Sequence, residues 1–143
     1  MKTPESSEIS LFSRIADALD RLAPPRAAIE EAPDAPAYAW DHGALRPVAA
    51  LRAQPLDRYV GIDAQREAVL RNTERLAKRL PAHDILLWGS RGMGKSSLVK
   101  SAVAHLQAAG EAIALVEIER DDIADVSLLL RRLAKLDRAF VLF

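Results

Sequence analysis

Apolar residues recur along the chain at two different periods, and the changes between them set out the elements. Ile9, Phe12, Ile15, Ala16, Leu19 and Leu22 stand three and four apart, opposite Arg14, Asp17, Asp20 and Arg21, which predicts an amphipathic helix over 9–22. Ser7 precedes it as an N-cap with Glu8 in the first turn, and Pro24-Pro25 stop it. Residues 24–36 (PPRAAIEEAPDAP) read as a linker. Around Tyr38, Trp40 and Leu45-Arg46-Pro47-Val48, with Gly43 between, a short hairpin or an extended strap is expected. Further on, Asp63 is placed to cap a helix from Ala64 to Leu80, with Val69, Leu76 and Leu80 on one side and Pro81 closing it. Glu67–Arg71 and Glu74–Lys78 are i,i+4 pairs on that helix.

The later pattern is denser in apolar residues. Ile85-Leu86-Leu87-Trp88 is a continuous run, as expected of a strand buried on both faces. Ser96 to Ala109 reads as a helix with Leu98, Val99, Ala102, Val103 and Leu106 inward and Gly110 at its stop. Ala112 to Ile118 is a second strand. Ile123, Val126, Leu130 and Leu133 mark another helix, and Ala139 to Phe143 a third apolar strand. Strand–helix–strand–helix–strand implies an α/β fold with a parallel sheet and flanking helices.

Composition divides this series in two. Seven of the eight prolines lie in the first 55 residues, so residues 1–55 form a proline-rich front of helix, linker and hairpin, and 56–143 a regular back part. Twenty basic and twenty acidic residues cancel, which leaves no electrostatic footprint for nucleic acid or an anionic membrane. The absence of cysteine excludes disulfides, thiolate nucleophiles and Cys-based metal sites, and three separated histidines make no His-rich one. No run approaches the roughly 18 apolar residues of a membrane helix, and the N-terminus lacks the layout of a signal peptide. A cytoplasmic location is expected.

Three of the six glycines fall in one loop, Gly89-Ser90-Arg91-Gly92-Met93-Gly94-Lys95-Ser96, which fits G-x-x-x-x-G-K-[ST] in full. Glycines let the backbone wrap phosphate oxygens, and the N–H groups of the following helix start face them. Lys95 supplies a mobile cation for β- and γ-phosphates, and Ser96 a hydroxyl for Mg²⁺. The bland alternative is a glycine-rich turn matching by accident, but the strand before and helix after are the context the motif requires. A dinucleotide-type G-x-G is rejected, because Ser97 occupies its third glycine position. Glu117 imitates a metal-orienting acid, yet one crossover after the loop it is expected at the tip of the second strand. Asp121 and Asp122 are expected to open the next helix, and Arg131, Arg132 and Lys135 to form a solvated face. Ala134-Lys135-Leu136-Asp137 lacks the Asn of a guanine-reading element.

Leu56-Asp57-Arg58-Tyr59-Val60-Gly61-Ile62-Asp63, a charged helix and then ILLWGSRGMGKSSLVK resemble the AAA+ branch of P-loop ATPases, with box II and Walker A in their usual order. More narrowly, Leu-Leu-Trp-Gly, Gly-Lys-Ser-Ser-Leu-Val-Lys and Glu-Ile-Glu-Arg-Asp-Asp are similar to a bacterial family of predicted AAA+ ATPases of unknown function, over about residues 38–143. The resemblance implies that Val60, Gly61 and Ile62 line an adenine pocket and that the loop through Ser97 holds phosphates. It further implies that Lys95 acts in catalysis and that Ser96 ligates Mg²⁺. In the family, the strand matching Ala139–Phe143 is followed at once by paired acids, and sensors, an arginine finger and a helical lid come later. Only 47 residues follow Ser96, which is short for a five-stranded nucleotide domain. The expectation is therefore an incomplete P-loop NTPase sheet of AAA+ type, with Ile85 to Trp88 poorly paired, and no hydrolysis by this chain alone.

Three functions remain open at this stage. The first is an AAA+ ATPase, a homo-oligomeric ring in its complete form, that uses ATP and Mg²⁺ to remodel a protein partner. The second is a P-loop kinase of a small molecule or nucleotide. The third is a non-catalytic nucleotide-binding switch or adaptor, with 9–22 as its docking helix.

Overall fold

A computed structural model describes residues 34–143 together with Arg14, Ile15 and Ala18. Those three residues are helical. The remainder of the expected helix over 9–22, its proline stop and the linker up to residue 33 lie outside the described residues. The chain divides into two units, Met1–Glu31 and Ala32–Phe143, and the second carries the sheet.

That unit opens on a hairpin of β1 (Ala37–Asp41) and β2 (Ala44–Val48), antiparallel with Asp41 opposite Ala44. His42 and Gly43, at φ 47° and 79°, make the two-residue turn. Two successive positive φ values are what a type I′ turn needs to match the twist of its strands. Pro47 lacks a backbone donor and sits on β2, the outermost strand, where no ladder needs one.

Three helices and two strands follow: α1 (Asp63–Ala77), α2 (Lys95–Ala108), β3 (Ile113–Ile118), α3 (Val126–Leu133) and β4 (Ala139–Leu142). The sheet order is β2-β1-β3-β4, with β1 and β4 both parallel to β3. It is a mixed sheet rather than the all-parallel one expected, because the hairpin joins it edgewise through Tyr38 and Trp40, each 1% exposed. Alternation along β3 builds a layer on each face. Ile113 and Leu115 pack on Val103 and Leu106 of α2. Ala114 and Val116 pack with Tyr38 and Trp40 against Leu129 and Leu133 of α3. A strand buried on both faces reads as a continuous apolar run, as Ile113–Val116 does.

Ile85–Trp88 is just as continuously apolar and is not a strand. Only Leu87 packs inward, against the Val69, Leu98 and Ala102 cluster, while Leu86 and Trp88 are 86% and 87% exposed. An apolar run becomes a strand only where a neighbouring ladder accepts its backbone. Here a cavity of about 530 Å³ separates the run from Phe140 and Leu142 of β4. The expectation of a poorly paired Ile85–Trp88 agrees with this arrangement.

Helix ends follow local chemistry, with one departure. The N-cap of α1 is Ile62 and not Asp63, which lies in the first turn and pairs with Arg66 at 2.6 Å. An acid there suits the helix dipole without capping. The helix stops at Ala77, short of Leu80, in a Schellman turn: Leu80 N–H bonds Arg75 O and Arg79 N–H bonds Leu76 O, with Arg79 at φ 55°. The expected Glu67–Arg71 and Glu74–Lys78 pairs form at 2.8 and 2.6 Å. Gly110 ends α2 by the same motif, its N–H on Gln107 O and the Glu111 N–H on Leu106 O. At the N-terminal ends of the strands, Arg138 donates to the carbonyls of Ala35 and Ile113 and pairs with Asp34, which fixes the chain entering β1.

Candidate functional site

The glycine loop lies between Trp88 and α2. Gly94, at φ 80°, is the N-cap of α2 and its carbonyl accepts the first helical bond, from Leu98 N–H at 2.8 Å. The N–H groups of Lys95, Ser96 and Ser97 therefore have no acceptor within the helix, and no side chain caps them. Gly92, at φ 83°, turns the backbone toward this helix start. The first turn of α1 carries Asp63, whereas that of α2 has no acid and begins with Lys95. A cation at a helix N-terminus is electrostatically unfavourable unless an anion joins it. The Lys95 ammonium folds back onto the carbonyls of Gly89 and Ser90, at 2.9 and 2.8 Å.

Ser90, Arg91 and Met93 are exposed around the loop, and the Ser96 hydroxyl is exposed at its exit. Ser97 is turned away: its hydroxyl meets that of Tyr59 at 2.5 Å, so toward the loop it offers only its N–H. The residues expected on the adenine side are reached through the same Tyr59. Its ring packs on Val69, Leu98 and Ala102 together with Ile62. Val60, 88% exposed, and Gly61, at φ 79°, bridge those two anchored residues. Tyr59 was absent from the sequence-derived site. Its signal was there in Ser97 and Ser101, two hydroxyls four apart on the inward face of α2.

At the C-terminal ends of β1 and β3 a cavity of about 660 Å³ opens beside Ser96. Glu117 stands near the tip of β3, as expected, and its carboxylate is paired with Lys100 of α2. Asp121 and Asp122 fall in a 3-10 turn, Arg120–Asp125, rather than in the first turn of α3, and Asp122 accepts the His42 N–H at 3.1 Å. That turn is set by the hairpin tip, whose approach no local sequence signal announces. Asp41 bonds the His42 ring, and Arg46 holds its other oxygen at 2.9 Å. The imidazole bond holds the Asp41 carboxyl below its ordinary pKa, and the same bond raises that of His42. Asp41, His42 and Asp122 bring ligand atoms within 4.8 Å of one another, a spacing suited to a cation. The Asp41 oxygens are, however, already engaged by His42 and Arg46.

No curated protein and no solved structure matches this chain. A family model covers residues 33–143, the hairpin, the glycine loop and every strand of the sheet. The chain belongs to that family, which is described as a protein of unknown function, DUF815.

Proposed function

We propose that this chain is the nucleotide-gripping part of an AAA+ type ATPase that couples ATP binding and hydrolysis to the remodelling of a protein partner. One observation carries the reading: the uncapped start of α2, entered through Gly94 in the left-handed region and carrying Lys95 instead of an acid. Backbone N–H groups, the helix dipole and an ammonium then converge where a polyphosphate would supply the missing charge. The residues suit ATP with magnesium. Lys95 would exchange the Gly89 and Ser90 carbonyls for β- and γ-phosphate oxygens, and the exposed Ser96 hydroxyl would join the metal. Magnesium, when bound, neutralises charge on the phosphates. Val60, Gly61 and Ile62 would take the adenine.

Hydrolysis also requires a carboxylate that orients metal and water. Glu117 is paired with Lys100, so the chain alone is expected to bind and not to turn over. Among the described residues no helix is long and apolar enough to cross a membrane. Within this reading the protein works in the cytoplasm and assembles as a ring.

Titration calorimetry with Mg-ATP tests this. Lys95→Ala removes charge-assisted bonds worth about 1.5–3 kcal/mol, so affinity falls roughly tenfold to a hundredfold. Unchanged affinity in that variant, or no binding by the wild type, overturns the reading. Turnover by the wild type that Lys95→Ala abolishes would overturn the expectation of inactivity.

A further inference from the structure

We propose that Tyr59 is a positioning residue whose hydroxyl fastens the exposed Val60-Gly61 bridge to the phosphate-loop helix, so that base and phosphate recognition are coupled through Ser97. The proposal rests on the nucleotide-binding reading above and adds to it a residue that neither the motif nor the family description assigns.

The geometry is specific. The Tyr59 hydroxyl meets Ser97 Oγ at 2.5 Å and Ser101 Oγ at 2.9 Å. Those serines lie one turn apart on a single face of α2, so one phenol clasps two successive turns of the helix. Ser101 also accepts the Gln54 N–H at 3.1 Å, which ties in the chain just before the Leu56–Arg58 turn. At its other end Tyr59 is held by its backbone, since Arg66 of α1 donates to the Tyr59 carbonyl at 3.0 Å and is steadied by Asp63. Between the Tyr59 and Ile62 anchors, Val60 and Gly61 are exposed. Their position relative to the loop is therefore inherited from Tyr59. Ser97 is the neighbour of Ser96 and bears one of the N–H groups left free at the helix start. A Cβ at Gly94 would lie 3.9 Å from the Tyr59 ring, so that ring stands beside the loop's last glycine.

A residue acting only on stability would alter all ligands of the site alike. A residue that sets the base-side bridge against the helix alters ligands that span both. Titration calorimetry of the full chain at fixed Mg²⁺ separates the two, with ATP as the spanning ligand and inorganic tripolyphosphate as the phosphate-only probe. Tyr59→Phe keeps the packed ring and removes the bridge. It is expected to weaken ATP about fivefold and to leave tripolyphosphate within about twofold, the loss matching one net hydrogen bond. Ser97→Ala is expected to show the same split, and the double variant to be no weaker than Tyr59→Phe alone, because the Tyr59–Ser97 contact is already lost in the latter. Should Tyr59→Phe fail to fold, Ser97→Ala carries the same expectation alone. Equal weakening of both ligands, or no change in ATP affinity, overturns the proposal while leaving nucleotide binding intact. A wild type that binds neither ligand overturns the underlying reading instead.

Discussion

Gly94 and Gly110 stand at the two ends of α2 with nearly the same φ, 80° and 88°, and make a matched pair of perturbations. A Cβ at Gly94 would have the Tyr59 ring at 3.9 Å, an ordinary contact, and one at Gly110 would meet nothing within 4 Å. Sterics therefore contribute little at either site, and what Ala adds is the strain of a left-handed L-residue, about 1–2 kcal/mol. Restricting the unfolded chain returns about 0.4–1 kcal/mol of this. Each Gly→Ala change should then cost about 1 kcal/mol, or about 4 °C of melting temperature for a unit of this size. The two diverge in ligand binding. Gly94 caps the loop, whereas Gly110 lies beyond the far end of a 14-residue helix that is itself roughly 21 Å long at 1.5 Å per residue. Thermal melts followed by circular dichroism should lose about equal amounts, while Mg-ATP titration should weaken only in Gly94→Ala. A Gly94→Ala protein that melts like wild type would refute the left-handed cap. Equal loss of ATP affinity in Gly110→Ala would refute a ligand placed at the helix start.

Two further outcomes test the frame around the site. Leu129 is fully buried where α3 covers the sheet, so Leu129→Ala should cost about 2–5 kcal/mol, read as a fall in the urea midpoint at unchanged slope; a loss below about 1 kcal/mol would mean that α3 does not pack there. The His42 ring should titrate by NMR above the ordinary histidine value of about 6.5, chiefly through its bond to Asp41, and Asp41→Asn should bring it back toward that value. Because the folded His42 pKa is raised and that of Asp41 lowered, the clasp contributes fully only between their ordinary values of about 6.5 and about 4; it is lost as pH rises through the raised value and again as pH falls through the lowered one. A His42 titration at or below the ordinary value would refute the clasp.

What the sequence made legible was whatever depends on neighbours a few residues apart. The helix placed at Ser96–Ala109 is Lys95–Ala108, the strand placed at Ala112–Ile118 is Ile113–Ile118, and the two i,i+4 pairs formed. What it did not reveal depends on partners far along the chain. The hairpin around Tyr38 and Trp40 was visible as a local pattern. Its parallel pairing with β3, Tyr38 beside Val116, lies nearly eighty residues away, where no periodicity reaches. Ile85–Trp88 and Ile113–Val116 are equally apolar, and only the presence of flanking ladders tells the strand from the unpaired run. Of the candidate site, the loop was readable in full because glycine positions encode backbone geometry directly. Tyr59 was not, because its role exists only once Ser97 and Ser101 are wound onto one face.

These contrasts give the loop two unequal sides. Its exit is fastened to α2, which packs on β3 through Val103 and Leu106, is clasped at Ser97 and Ser101 by Tyr59, and closes at Gly110 in a Schellman turn. Its entry comes from a run of which Leu87 alone packs inward, with Trp88 almost wholly exposed just before Gly89. Lys95 joins the two sides, since its ammonium holds the entry carbonyls of Gly89 and Ser90 while its backbone begins the exit helix. A polyphosphate that captured the ammonium would therefore release the entry segment at the moment it engaged the helix. On the proposed reading, the N–H groups at the start of α2 would receive such a ligand, and its affinity would be set by how little is lost when Lys95 changes partners.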